Sequence, residues 1–467
     1  MLLVVLILLS CAVFALWWYA NPSRPSPPVF PGALPIIGHA RQMWGNGLQL
    51  WQIEKKVYHF CLENGGVIEM RFGPRSVYVI TDLDDCLTVA NTCLDKPYIY
   101  NFGKKMYDRG LVTASALTWK PHRKLLNPAF NLQVLNTFVQ EYSTEAKRLV
   151  TELATEAGKD QFDVVPYLLT NVIRSMVLKN YALAADKFFA LLVDRLYSVW
   201  LHSPVIFKMS YLKKKQDAVI KTMKNITETM VSKCGDILKT KNRLSYKSLL
   251  DLLLDIGEKQ VFTDEEIREH LDTIIGAAYD TSTRAMTFCL ILIGTYQNVQ
   301  AKILKELQEV FDDPDRDLTR HDLPKLVYLE AVLKETLRLY PPVPRVAKCS
   351  DSAVQLKHYT FPAGTTFALS LYGMNRHPVW GADANEFKPE RWLNPATLPD
   401  NPNAFASFSI GKRNCIGKQS AMMSMKTTLA YILRRYRVTG DIRNVQCKCD
   451  TIFRPVVGHY IGLELRT

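Results

Sequence analysis

Residues 408–417 read Phe408-Ser409-Ile410-Gly411-Lys412-Arg413-Asn414-Cys415-Ile416-Gly417. Five of these positions fit the pattern FxxGxRxCxG. The run leads straight into 416–435, whose apolar spacing predicts an amphipathic helix. At residue frequencies of about 5% each, five fixed positions recur by chance in roughly one chain in ten thousand of this length. A thiolate that serves as a ligand needs its charge held by amide donors, which a helix N-terminus supplies. Gly411 permits a tight turn, and Gly417 lets the backbone come close to a flat ligand face. Arg413 can pair with a carboxylate. Phe408 can cover the sulfur from water, which tunes a bound metal. A buried structural cysteine ahead of a helix is the alternative reading.

The rest of the chain narrows the choice. Ten cysteines occur in 467 residues (Cys11, Cys61, Cys86, Cys93, Cys234, Cys289, Cys349, Cys415, Cys447 and Cys449). They lack both the regular spacing of a disulfide scaffold and the CxxC spacing of a zinc site. Composition is that of an ordinary globular protein, 48% hydrophobic and 22% charged. The net charge of +13 suits an acidic partner or an anionic surface, or serves solubility alone. Nucleic acid is excluded, because the basic residues are dispersed and no binding motif accompanies them.

The first twenty residues, MLLVVLILLSCAVFALWWYA, predict one N-terminal transmembrane helix. Trp17, Trp18 and Tyr19 suit the headgroup interface, and Arg24 on the downstream side places the body in the cytosol. Residues 21–39 are a proline-rich connector with Pro22, Pro25, Pro27, Pro28, Pro31 and Pro35. Residues 40–467 read as one catalytic domain. Short β-like runs (VIEMRF, SVYVIT) lie within 66–92, helical spacing dominates from Thr113 to Tyr340, and TTFALSLY near 365–372 is strand-like. Thr263 and Glu266 form a capping-box pattern that opens a long helix. There is no GxGxxG, P-loop or HExxH. A redox enzyme built this way must take its electrons from another protein.

The Cys415 segment resembles the cytochrome P450 superfamily, and other motifs extend the likeness along the chain. Glu335-Thr336-Leu337-Arg338 is similar to the ExxR motif. It is followed by Tyr340-Pro341-Pro342 and by Phe387-Lys388-Pro389-Glu390-Arg391-Trp392, which is similar to the PERF-type segment. The resemblance implies a buried structural triad of Glu335, Arg338 and Arg391. Trp119-Lys120-Pro121-His122-Arg123 looks like the WxxxR helix, so Trp119 and Arg123 would join Arg413 at the haem propionates. Ala277-Ala278-Tyr279-Asp280-Thr281-Ser282 resembles [AG]GxDT[ST], which gives Thr281 and Asp280 the proton-delivering role.

The resemblance implies a mainly α cytochrome P450 fold, a large helical domain with a smaller sheet-rich portion. It also implies haem b bound through Cys415, with Phe408, Gly411, Gly417, Arg413, Trp119 and Arg123 around it. Three departures stand out: Ala278 where Gly is usual, Lys412 where Pro is frequent, and Ala277. The chain resembles the microsomal fatty-acid ω-hydroxylase-like clan, insect members included. Many of that clan carry a Glu at the position of Ala277 that can form an ester with the haem, so no covalent attachment is expected here. The implied activity is insertion of one oxygen atom into a fatty acid, lipid signal or xenobiotic. Electrons would come from NADPH-cytochrome P450 reductase, with cytochrome b5 a second candidate partner, at the endoplasmic reticulum membrane. Lys120, Lys124, Lys412 and Lys418 are the candidate docking charges. A haem-thiolate isomerase or dehydratase acting on peroxides, or a weakened haem- or ligand-binding member, are the competing readings.

Overall fold

The structure is a computed structural model and describes residues 2–20, 26–174, 179–240, 262–313 and 316–466. Within these ranges the side chains are described except at 2, 15–20, 173–174, 179 and 233–240. Helix α1 spans Leu2–Ala20, and its described side chains, 3–14, are all exposed. No helix among the described residues is long and apolar enough to cross a membrane.

The later part of the proline-rich connector is not a free spacer. Val29 bridges Glu69, Phe30 is buried, and the fully buried His39 contacts the Phe30 carbonyl through Nε2 and accepts from the Arg71 amide at Nδ1. These bonds seat the connector on strand β1 (Val67–Phe72). β1 forms a hairpin with β2 (Arg75–Ile80), in register Val67 opposite Ile80. Two later segments complete a four-stranded sheet in the order β1-β2-β4-β3: β3 (Val346–Cys349) and β4 (Thr366–Leu369). β4 runs parallel to β2 and antiparallel to β3.

The helical body surrounds one long helix, α4 (Asp264–Thr295). It opens at the expected capping box, with the Thr263 hydroxyl accepting from the Glu266 amide and the Glu266 carboxylate accepting from the Thr263 amide. Burial on nearly every side explains its lack of a clean amphipathic stripe. Its buried charges find partners: Arg268 with Asp272 at 2.8 Å, and Arg284 with Asp280 at 2.8 Å. Helices α2 (Ala116–Leu126), α3 (Val139–Leu153), α5 (Val327–Leu339) and α6 (Lys418–Arg435) share the principal core with α4. Leu149, Ile291, Leu333 and Leu429 belong to it, all at most 2% exposed.

Candidate active site

The Cys415 loop is held open by local geometry. Gly411 has φ +69°, and a Cβ there would lie 2.7 Å from the Ala90 Cβ and 2.9 Å from the Asn91 Oδ1. Only glycine meets both demands. Ser409 also adopts positive φ, and the Cys415 amide donates back to the Phe408 carbonyl at 2.9 Å. Asn91 pins the loop by accepting from the Lys412 amide. Gly417 caps α6, and a Cβ there would meet only the Cys415 Sγ, at 3.9 Å, so its face is otherwise open.

The acidic side of α5 braces this loop. Glu335 is completely buried and accepts from Arg338 Nε and Nη2 (both 2.8 Å), Arg391 Nε (3.0 Å), the Lys388 amide (3.0 Å) and Trp392 Nε1 (3.0 Å). Arg338 Nη1 donates to the Asn375 carbonyl. Asn375 in turn donates to Ser407 Oγ and accepts from the Ala406 amide, at the root of the cysteine loop. Ser407 closes the link by donating to the Leu337 carbonyl. Asn375 and Ser407 carried no sequence signal. They become visible only when the loop folds against α5.

Cys415, Arg413, Phe408, Gly417, Trp119, Arg123 and Thr281 all open on one cavity of about 1670 Å³. That exceeds the roughly 300–1,000 Å³ of an ordinary ligand pocket. Asp280 does not line it, since its carboxylate accepts from Arg284. Thr281 does, and its hydroxyl donates to the Ala277 carbonyl at 2.8 Å. Cys415 is exposed and lines this cavity. Burial raises its thiol, against the lowering effects of the Gly417 amide, Arg123 and Lys418.

One edge of the cavity is a cradle of cations. Arg413 Nη2 donates to the Ala114 carbonyl at 2.6 Å and its guanidinium sits 4.7 Å from the Trp119 ring, yet Nε and Nη1 are buried without a hydrogen-bond partner among the described residues. Burial pushes Arg413 down to about 10. Lys96 and Lys348 line the same cavity and are each held down to about 7, by burial first. Arg413 adds to the lowering of Lys96, and Lys96 and Arg413 to that of Lys348. Arg123 donates instead to the Asn414 carbonyl and side chain. The buried Lys348, the half-buried Lys96 and a half-satisfied guanidinium call for an anionic group. The residues therefore fit a flat cofactor with a carboxylate edge in the cradle and its face over Cys415 and Gly417.

The family model for Cytochrome P450 matches residues 27–456. The chain belongs to the cytochrome P450 family. Members bind haem b and act as monooxygenases. Similar curated proteins include Cytochrome P450 4V2 of Mus musculus, 29% identical, with 97% of this chain and 92% of that protein covered. Cytochrome P450 4d8 of Drosophila melanogaster is 30% identical, covering 82% of this chain and 90% of that protein. Cytochrome P450 4c21 of Blattella germanica is 29% identical, with 95% and 93% covered. Insect and mammalian members of one branch of the family are thus both similar to this chain.

Proposed function

We propose that this cytochrome P450 inserts one oxygen atom from O2 into a lipophilic substrate, a fatty acid, lipid signal or xenobiotic, with electrons from NADPH delivered by a reductase. The observation that carries the reading is the convergence of Cys415, Arg413, Trp119, Arg123 and Thr281, from three separate segments of the sequence, on one largely apolar cavity. When bound, haem with a thiolate ligand supplies the O–O bond cleavage.

The chain's own residues would hold and insulate that group. Cys415 supplies the thiolate, whose charge the Gly417 amide and the nearby Arg123 and Lys418 favour. Arg413, Lys96 and Lys348 hold the carboxylate edge, with Trp119 and Arg123 beside them. Phe408 shields the sulfur. Glu335, Arg338 and Arg391 brace the loop from behind. Ala277 offers no carboxylate for an ester, so haem is held without a bond there. Thr281, which lines the cavity, would hand a proton into it, and Asp280 would reach the cavity only by leaving Arg284.

That engagement of Asp280 favours one competing reading, rearrangement of a peroxide without external electrons. Electron demand separates the two. Monooxygenation consumes NADPH in step with product when reductase and a lipophilic substrate are present, and rearrangement forms product with no reductant.

Membrane attachment through residues 1–20, as a single pass with the body on the cytosolic side of the endoplasmic reticulum, fits the run of exposed Leu3–Phe14. It fits a second apolar patch as well. Trp44 and Trp200 lie 6.2 Å apart, and Val205, Ile206 and Met209 are exposed nearby in sequence. Val199 and Ser203 of that segment line the cavity, which suits a substrate that arrives from lipid. Lys120, Lys124, Lys412 and Lys418 are exposed and make no ion pair among the described residues. The Arg123–Asn414 bonds join the two elements that carry them. An acidic reductase, or cytochrome b5, would dock there. Charge reversal at Lys412 and Lys418 is expected to slow reductase-supported turnover and leave peroxide-supported turnover in place. Equal loss in both assays would refute this docking face.

A further inference from the structure

A second cavity, of about 540 Å³, shares no lining residue with the chamber at Cys415. Its volume falls within the roughly 300–1,000 Å³ of a small-molecule site. It is walled by the helix Gly47–Glu63, by Tyr340 just after α5, by Tyr372 and Arg376, and by the hairpin of Gln446–Cys449 and Phe453–Val457. Tyr58 stands at the border of the two spaces. It lines the chamber and packs against Trp51 at 6.0 Å and Tyr372 at 5.0 Å, which line the second cavity. The wall is aromatic: the Trp51 ring lies 4.4 Å from Phe453 and 5.0 Å from Tyr372, and Tyr340 stacks on Phe453 at 6.4 Å. Trp51 and Phe453 are buried and fix the wall, while Tyr340 and Tyr372 are half-buried and retain accessible surface.

The residues lining this cavity include Lys55 and Arg376 and no Asp or Glu. Other arginines in this part of the fold find carboxylates: Arg338 and Arg391 share Glu335, and Arg345 pairs with Glu54. Arg376 has no carboxylate partner among the described residues. It donates to the Leu339 carbonyl, and its guanidinium lies 3.7 Å from the centre of the Tyr372 ring. Lys55 makes no ion pair among the described residues either, and its neighbour Glu54 is engaged by Arg345. Both cations are half-buried. Burial lowers Arg376, as it does for a cation with no anion beside it. Cys447 ties the two cations to one set of neighbours. Burial pushes its thiol up to about 12 against the lowering pull of Lys55. Burial likewise pushes the Tyr340 phenol up to about 12 against the pull of Arg376, with Cys447 adding to the rise.

We propose that this cavity is a second ligand site, which takes a small aromatic anion whose charged group meets Arg376 and Lys55 and whose ring packs against the wall of Trp51, Tyr340, Tyr372 and Phe453. Both halves of the ligand follow from the lining. A neutral ring would leave the two cations without a counter-charge, and an inorganic anion would leave the aromatic surface uncovered. Pockets of this kind combine an apolar lining with a few placed polar groups that fix orientation. The site adjoins the brace of the cysteine loop, because Arg376 follows Asn375, which accepts from Arg338 and holds Ser407 and Ala406.

The test uses the haem-loaded full chain with the chamber blocked by phenylimidazole, whose saturation is read from the Soret band. Naphthoate, naphthamide and inorganic phosphate are then titrated by isothermal calorimetry. Naphthoate is expected to bind the blocked protein at one site, at least about tenfold more tightly than naphthamide, a typical worth of a hydrogen bond to a charged group. Phosphate, which lacks the ring, should also bind at least about tenfold more weakly than naphthoate. The naphthoate preference over naphthamide should shrink to within about threefold in Arg376→Met and fall in Lys55→Met. Should Arg376→Met fail to fold, because it also loses the bond to Leu339, Lys55→Met and Lys55→Glu decide by the same ratio. The proposal is overturned if phenylimidazole abolishes naphthoate binding, which would place the ligand in the chamber. It is overturned equally if naphthamide or phosphate binds as tightly as naphthoate, or if the preference survives the substitutions.

Discussion

Replacing Glu335 by Gln tests how the cysteine loop is held. The substitution keeps volume and one acceptor oxygen but removes the charge that Arg338 and Arg391 share. All three side chains are at most 3% exposed, so water cannot make up the loss. Asp383 still reaches Arg391 at 3.2 Å, but no other carboxylate among the described residues pairs with Arg338. Breaking a buried pair from one side costs about 3–5 kcal/mol. At about 2 °C per kcal/mol for a large domain, the melting midpoint of the haem-loaded protein should fall by about 6–10 °C. The matched control is Glu464→Gln. Its partner Arg437 lies at 3.2 Å, but the two side chains are 55% and 52% exposed. A surface pair is worth about 0–1 kcal/mol, so this variant should melt within about 2 °C of the parent. The assay is thermal unfolding followed by far-UV circular dichroism, with the Soret band read in parallel. The Soret change should lead the far-UV change in Glu335→Gln, because the cysteine loop loosens before the helices melt. A midpoint for Glu335→Gln within about 2 °C of the parent would refute the bracing role.

Two further outcomes follow from the same geometry. Gly411→Ala should sharply reduce haem incorporation, because it adds a left-handed cost of about 1–2 kcal/mol to a collision with Ala90. Gly364→Ala has φ +83° with nothing within 4 Å of the new methyl, so it should carry the backbone cost alone and leave haem content unchanged. The cation cradle predicts a pH dependence. Lys96 and Lys348 sit at about 7 when folded against an ordinary 10.5, so between those values the unfolded chain binds more protons. Stability of haem-free protein must then rise with pH from about 7 toward 9, with no slope from these groups well below 7. Above about 9 the raised Cys415 thiol acts in the opposite sense. A Lys96→Met/Lys348→Met variant should lose the rise, and haem loading should flatten it. Melting curves across that range that are parallel in parent and variant would remove the two lysines from the cradle.

What the sequence made legible was local. The turn at Gly411 and the capping box at Thr263 depend on neighbours within a few residues, so both could be read from spacing. The ExxR and PERF-type segments were readable as motifs, but the Asn375–Ser407 link that joins them to the cysteine loop was not. It depends on two ordinary polar residues meeting across the core. Lys96 and Lys348 were equally silent, one in a loop and one on a strand, until the fold placed both beside Arg413. Asp280 shows the limit from the other side: the motif pairs it with Thr281, yet successive helix positions face different ways. Thr281 opens on the cavity while Asp280 meets Arg284 one turn along. In the connector the prolines dominate the pattern. The two bonds of His39 that pin it to β1 had no periodic signature.

The central claim is that Cys415 supplies the thiolate to a bound haem, and the reduced-CO difference spectrum of the full chain tests it most directly. The account predicts an absorption band at the long-wavelength position of thiolate-ligated haem. That band should be lost in Cys415→Ser and retained in Cys447→Ser, whose thiol does not line the cavity. A parent protein that binds haem without that band, or a band that survives Cys415→Ser, would contradict it.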